Sequence, residues 1–206
     1  MVADADQAKL HIRWQEDDES LMSLERLQGH WTEEQYLLMT DQTKRLLEYS
    51  DGYLEVLPMP TEEHQDISQF LFLALLAFLQ GIGGKVYYAP LRVRIRANKF
   101  REPDLLLVRD AHDPRRQNRY WLGADLVVEV VSAGDPERDT KVKRNDYAQA
   151  GIPEYWIVNP LTTTITVLVL EGETYTEHGC FSRGEDAVSK LLDGFRVRVD
   201  AVFDAK

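Results

Sequence analysis

Residues 105–108, Leu-Leu-Leu-Val, and 126–131, Leu-Val-Val-Glu-Val-Val, are apolar at consecutive positions rather than at alternate ones. Strands of this kind are buried on both faces, which requires a sheet covered on each side by other elements. Glu129 stands alone in the second run, between Gly123 and the turn Ser132-Ala133-Gly134-Asp135-Pro136. A carboxylate desolvated without a partner either protonates or costs several kcal/mol, so Glu129 needs company. Two readings are open: a buried ion pair with an arginine, or a reactive site.

The neighbouring segments add chemistry. In Arg101-Glu102-Pro103-Asp104, the proline suits only a strand start or an edge, so Asp104 sits at the mouth of the 105–108 strand. Asp139 reads as the N-cap of a helix running through Lys143, Tyr147 and Ala150 to Gly151, a C′ stop. Lys143 and Tyr147, four apart, share one face of it. An acid at a strand mouth, an acid inside the next strand and a lysine on the following helix can converge on one small volume. Hard divalent cations take such oxygen ligands, and a lysine beside them can orient or polarise water.

Pro103-Asp104, Glu129-Val130-Val131-Ser132, Asp139 to Lys143, Tyr147 and Gly151-Ile152-Pro153-Glu154-Tyr155-Trp156-Ile157-Val158 together resemble the Uma-type restriction endonuclease family of the PD-(D/E)XK nuclease superfamily. The Gly-Ile-Pro-Glu-Tyr-Trp stretch is the most specific piece, and the resemblance runs from about Thr32 to Phe203. It implies a restriction-endonuclease-like α/β (α+β) fold, a central mixed sheet flanked by helices with additional antiparallel hairpins. It also implies hydrolysis of DNA phosphodiesters with Mg²⁺ or Mn²⁺ held by Asp104, Glu129 and the Val130 carbonyl, and a homodimer by analogy. The superfamily's lysine lies two residues after the second acid, where this chain has Val131; in the Uma-type family it comes from the next helix, at the place of Lys143, with Lys141 as the rival. Ala133-Gly134-Asp135 departs from the family's proline and small hydroxyl residue.

Glu63 and His64 lie in the first turn of a helix expected from Glu62 to about Gln80, capped by Thr61. In some relatives a carboxylate on this helix completes the metal shell, so Glu63 is a candidate third ligand and His64 a candidate phosphate or water contact. Acids in a first turn also simply favour the helix dipole. Tyr147 is a candidate accessory residue or a core residue.

The net charge of −11 works against nucleic-acid binding, but its distribution is uneven. Residues 85–119 carry 10 basic and 4 acidic side chains. Within that block Arg92, Arg94 and Arg96 alternate along one strand face, followed by Lys99 and Arg101. This strip is either a solvated face or a basic lip for a phosphodiester beside the acids.

The rest reads as scaffold. Residues 1–22 are expected to be a mobile acidic leader and residues 23–206 a single domain. Thr32 with Gln35 forms a capping box, Trp31 and Tyr36 stand at staple spacing, and Ser50-Asp51-Gly52 marks a hairpin. Strands at 91–96, 104–108, 126–131 and 154–158 are expected to form the mixed sheet, with a hairpin around Glu171-Gly172. The single Cys180 and the lack of an apolar signal segment suit a cytoplasmic protein. The competing function classes are a silent binding module for nucleic acid or protein, and a metal-free ion cluster of Asp104, Glu129 and Lys143. A glycosidase-type carboxylate pair leaves the lysine without a role.

Overall fold

The computed structural model describes residues 27–43 and 45–205; the expected leader lies outside them. Helix α1 (Glu33–Thr40) precedes the hairpin β1 (Leu47–Ser50) and β2 (Tyr53–Val56), then the long helix α2 (Glu62–Gln80). Strands β3 (Lys85–Tyr88), β4 (Val93–Arg96), β5 (Lys99–Arg101), β6 (Leu105–Val108) and β7 (Leu126–Val130) follow. A π-helical turn (Arg138–Val142) leads into α3 (Lys143–Gln149), followed by β8 (Glu154–Asn159), β9 (Thr164–Glu171) and β10 (Thr174–Ser182). The described chain closes with β11 (Asp186–Val188), β12 (Arg196–Arg198) and α4 (Val199–Phe203).

Six strands form the central sheet in the order β10-β9-β8-β7-β6-β3. It is mixed: β7 and β8 are parallel, and the other neighbours are antiparallel. As the unbroken apolar runs require, β6 and β7 are buried at every position. Leu105, Leu107, Val128 and Val130 pack with Ile67, Leu71, Leu75 and Leu79 of α2. Leu106, Val108, Val127 and Val131 face the other way, toward Tyr147 of α3, Tyr155 and Ile157. Because strand side chains alternate, Glu129 shares the α3 side with Val127 and Val131. That parity decides which helix it meets.

A second, four-stranded antiparallel sheet runs β2-β1-β5-β4 over a small core of Trp31, Tyr36, Leu37, Leu47, Tyr49 and Phe100. The expectation that the 91–96 strand joins the central sheet is corrected here. In β4 only Val93 and Ile95 are buried, a one-faced pattern suited to a sheet with one solvated side. Strands β3 and β5 were not anticipated; each is at most four residues long, too short for a clear periodicity. The Ser50-Asp51-Gly52 hairpin forms as read, with Asp51 at φ 49° and Gly52 at φ 92°. A side chain at Gly52 would also meet the Gly29 backbone at 2.6 Å. The hairpin around Glu171-Gly172 and the Thr32/Gln35 capping box are likewise present. No helix among the described residues is long and apolar enough to cross a membrane.

Candidate active site

β5 passes into β6 through Glu102-Pro103-Asp104, which carries Asp104 to the seam between the two sheets. There Val130 N–H donates to Asp104 Oδ2 at 2.7 Å, locking the carboxylate to the end of β7. His64 Nε2 approaches the same oxygen at 3.2 Å from the first turn of α2. Thr61 aims that turn by accepting the His64 N–H at 3.2 Å.

Glu129 is 2 % exposed and engaged on both oxygens. Lys143 Nζ lies 2.7 Å from Oε2, and the Tyr147 hydroxyl donates to Oε1. The partner is therefore the lysine of the following helix and no arginine. Two acids that sequence reading did not assign to the site complete the surroundings. Asp139 Oδ1 lies 3.0 Å from Lys143 Nζ, and Glu48 Oε1 lies 3.8 Å away. Glu48 also binds Arg101 Nη1 at 2.8 Å and Arg138. A buried Glu in β1 directly across from Arg101 was the available signal, but it required knowing that β1 pairs with β5.

Asp139 corrects a reading of the helix start. The helical run opens at Pro136, and Arg138 N–H bonds Asp135 Oδ1 at 3.3 Å, so Asp135 takes the capping place. The π-helical turn then brings Asp139, buried, one turn before Lys143. Inserted π turns of this kind recur at functional sites.

Charge in this volume is unevenly balanced. Burial pushes the Glu129 carboxyl well above its ordinary range; Lys143 works against the rise, and Asp104, Asp139 and Glu48 add to it. Asp139 is raised by burial and by Asp104 and Glu48, again against Lys143. For Lys143, burial favours the neutral amine, but the surrounding carboxylates, Glu129 foremost, overcome it and hold the ammonium. His64 follows the same logic: burial disfavours its charged ring, the Asp104 hydrogen bond outweighs that, and its pKa rises.

Asp104, Glu129, Val130, Asp139, Lys143 and His64 line one open cleft of about 770 Å³. Glu63, by contrast, is exposed and does not line it, because the next helical residue points about 100° away and it is His64 that faces inward. Lys141 is set apart as well, paired at the surface with Glu137 at 2.6 Å.

The basic strip also differs from its reading. Arg92 is held by Asp41, Arg94 by Glu33, Arg96 by Asp51, Lys99 by Asp146, and Arg101 by Glu48 and Asp146. None of the five lines the cleft. Alternation along β4 did place Arg92, Arg94 and Arg96 on one face, but that face carries ion pairs rather than free cations.

Glu154 shows how a structural acid differs from Glu129. Also fully buried, it accepts from Trp156 Nε1 at 2.7 Å, Ser189 Oγ at 2.6 Å, and the Lys190 and Leu191 N–H groups at 2.8 and 2.7 Å. The Gly-Ile-Pro-Glu-Tyr-Trp stretch is therefore scaffold that fixes β8 beside β7.

Among the described residues, no group of three or more His, Cys, Asp or Glu side chains forms a ready cage for a metal ion. What the cleft does offer is three neighbouring acids, Asp104, Glu129 and Asp139, with the Lys143 ammonium on the latter two, while Glu48 behind them is held by Arg101 and Arg138. Oxygen donors of this kind are the type that hard divalent cations take, and Asp104 and Glu129 are the two that could hold one.

A family model for Uma2, described as "Putative restriction endonuclease", matches residues 33–200. The fold is similar to that of a solved protein titled as a putative nuclease belonging to DUF820 from Anabaena variabilis ATCC 29413. The two share 16 % identity and a TM-score of 0.66, covering 78 % of this chain and 91 % of that one. No curated protein sequence matches the chain.

Proposed function

This chain belongs to the Uma2 restriction endonuclease-like family, and we propose from that premise that it is a metal-dependent endonuclease hydrolysing DNA phosphodiesters in the cleft between its two sheets. The observation that carries the reading is Glu129, paired with Lys143 beside Asp104 in an open cleft. Asp104 and Glu129 would hold Mg²⁺ or Mn²⁺. When bound, the cation supplies Lewis acidity to the scissile phosphate and to the attacking water.

The remaining work falls to the protein's own groups. Lys143, fixed as an ammonium, stabilises the negative charge that develops on the phosphoryl oxygens. Asp139 positions Lys143 from one turn earlier, and Tyr147 orients Glu129 through its hydroxyl. His64, whose Nε2 lies 3.2 Å from Asp104 Oδ2, would carry a proton into the cleft. That proton is available to a departing alkoxide.

One observation favours a second reading, a nuclease fold kept for binding without turnover: Lys143 lies directly on Glu129, at 2.7 Å, where a cation would compete with it. Mn²⁺ titration followed by electron paramagnetic resonance, alongside a supercoiled-plasmid cleavage assay, separates the two. The wild type should bind Mn²⁺ and nick plasmid, and Asp104→Ala and Glu129→Ala should lose both. Binding that is equal in all three proteins would remove the two acids as metal holders. Binding without cleavage would favour the silent module.

A further inference from the structure

The cleft has a second half that the chemistry of the acids does not use. Beside the acids, the cleft is lined by apolar groups: Pro58, Met59, Phe72, Leu73, Tyr88 and Pro90. Three of these are strongly exposed, Met59 at 75 %, Tyr88 at 60 % and Leu73 at 54 %. Exposed apolar side chains scattered singly need no explanation, but several on one wall of a concave site mark a surface that receives something. Phe72 stands edge-on to Tyr88 with ring centroids 5.1 Å apart, which leaves Tyr88 braced from one side and open on another.

The wall is tied rigidly to the acids. Tyr88 pairs with Leu105, the residue after Asp104, and Ala89 N–H donates to the Asp104 carbonyl at 3.0 Å. His64, Ser68 and Phe72 line the cleft at four-residue intervals along α2, so one helix face runs from the Asp104 contact to the aromatic pair. Eight residues of helix span about 12 Å. A nucleotide flanking a phosphate at Asp104 falls within that reach.

Charge selects between one strand and two. Six acidic side chains line the cleft against Arg138, Lys143 and the His64 imidazole. Arg138 is bound to Glu48 and Glu55, and Lys143 to Glu129 and Asp139. Duplex binding depends on neutralising many phosphates with lysine and arginine, and the five cations of the β4–β5 strip are paired elsewhere. Stacking on aromatic and apolar groups, in contrast, holds single strands whatever their sequence.

We propose that Tyr88, Phe72 and Met59 form a stacking subsite for an unpaired base beside the scissile phosphate, making single-stranded or locally unpaired DNA the substrate class. This rests on the endonuclease reading of the Asp104 and Glu129 site. Anisotropy measured in Ca²⁺ with an oligonucleotide, presented single-stranded and as the same sequence in blunt duplex, tests it. A 2-aminopurine base in the strand reports stacking directly. The single strand should bind at least about tenfold tighter than the duplex, and Tyr88→Ala should weaken it by about 5- to 100-fold. Tyr88→Phe should retain binding. Met59→Ala, in the β2–α2 connection and away from any strand, should weaken it and restore 2-aminopurine fluorescence without altering the fold.

Equal binding of duplex, or indifference to both Tyr88→Ala and Met59→Ala, overturns the stacking subsite and leaves the endonuclease reading standing. Absence of binding to either DNA form overturns both. A fall in molecular mass in solution on Tyr88→Ala would assign the wall to a second copy of this chain and likewise overturn the subsite.

Discussion

Lys143 is the residue on which the buried charges depend. Its Nζ sits among Glu129, Asp139 and Glu48, so removing it strands carboxylates that have little solvent. Truncating one partner of a buried ion cluster costs about 3–5 kcal/mol, whereas a surface pair is worth under about 1 kcal/mol. Urea denaturation should therefore show Lys143→Ala strongly destabilised and Lys141→Ala close to wild type. Added Mn²⁺ should restore stability to Lys143→Ala, since a cation can replace the lost ammonium among the acids; a purely structural lysine would show no such rescue.

Glu102 gives a pH test at the same scale. Burial, with Glu48 beside it, pushes its carboxyl up to about 8, against the pull of Arg92 and Lys143. A folded pKa above the unfolded value means that the group's stabilisation is complete below pH 4.5 and is lost as pH climbs through about 8. Metal-free thermal melts from pH 5 to 9 should show Glu102→Gln losing less stability than wild type, by about 2–4 kcal/mol. Parallel curves for the two proteins would mean that Glu102 is ionised throughout.

At the level of elements, the decisive devices are terminal ones. Thr61 caps α2 and fixes the turn that carries His64 to Asp104. Losing a threonine cap costs about 0.5–2 kcal/mol. Thr61→Ala should lower the melting temperature modestly and also lower the His64 pKa measured by NMR, because a frayed first turn loosens the Asp104 contact. An unchanged His64 pKa would show that the imidazole is placed by its strand neighbours alone. The β7–α3 connection works in the same way. Its capped start and π-helical turn rotate Asp139 and Lys143 together toward Glu129.

Across the whole molecule, ion pairs tie the smaller sheet to the helices and turn around it, beside the apolar packing of Val93 and Ile95 against Leu106, Val108 and Val127 of the central sheet. Arg101 joins Glu48 of β1 to Asp146 of α3, and Lys99 joins the same aspartate. Arg94 and Arg96 tie β4 to α1 and to the β1–β2 turn through Glu33 and Asp51. Arg94→Ala combined with Arg96→Ala should consequently shift the melting temperature while changing affinity for single-stranded DNA by less than about twofold. A large, salt-dependent loss of affinity would return the strip to the role of phosphate contact.

Much of this architecture was legible along the chain because its causes are local. Unbroken apolar runs marked β6 and β7, Thr61 and Thr32 marked helix starts, and Asp51-Gly52 marked a turn that needs positive φ. The solitary charge in an apolar strand likewise marked Glu129, since no local pattern could neutralise it. What filled the site around it was decided by pairing between distant segments. Glu48 arrives because β1 lies against β5, His64 because α2 crosses the mouth of β6, and the strip lost its free charge because β4 joined the smaller sheet. Ion pairs form between groups that meet in space, and a short strand of ordinary composition carries no mark of which neighbour it will choose.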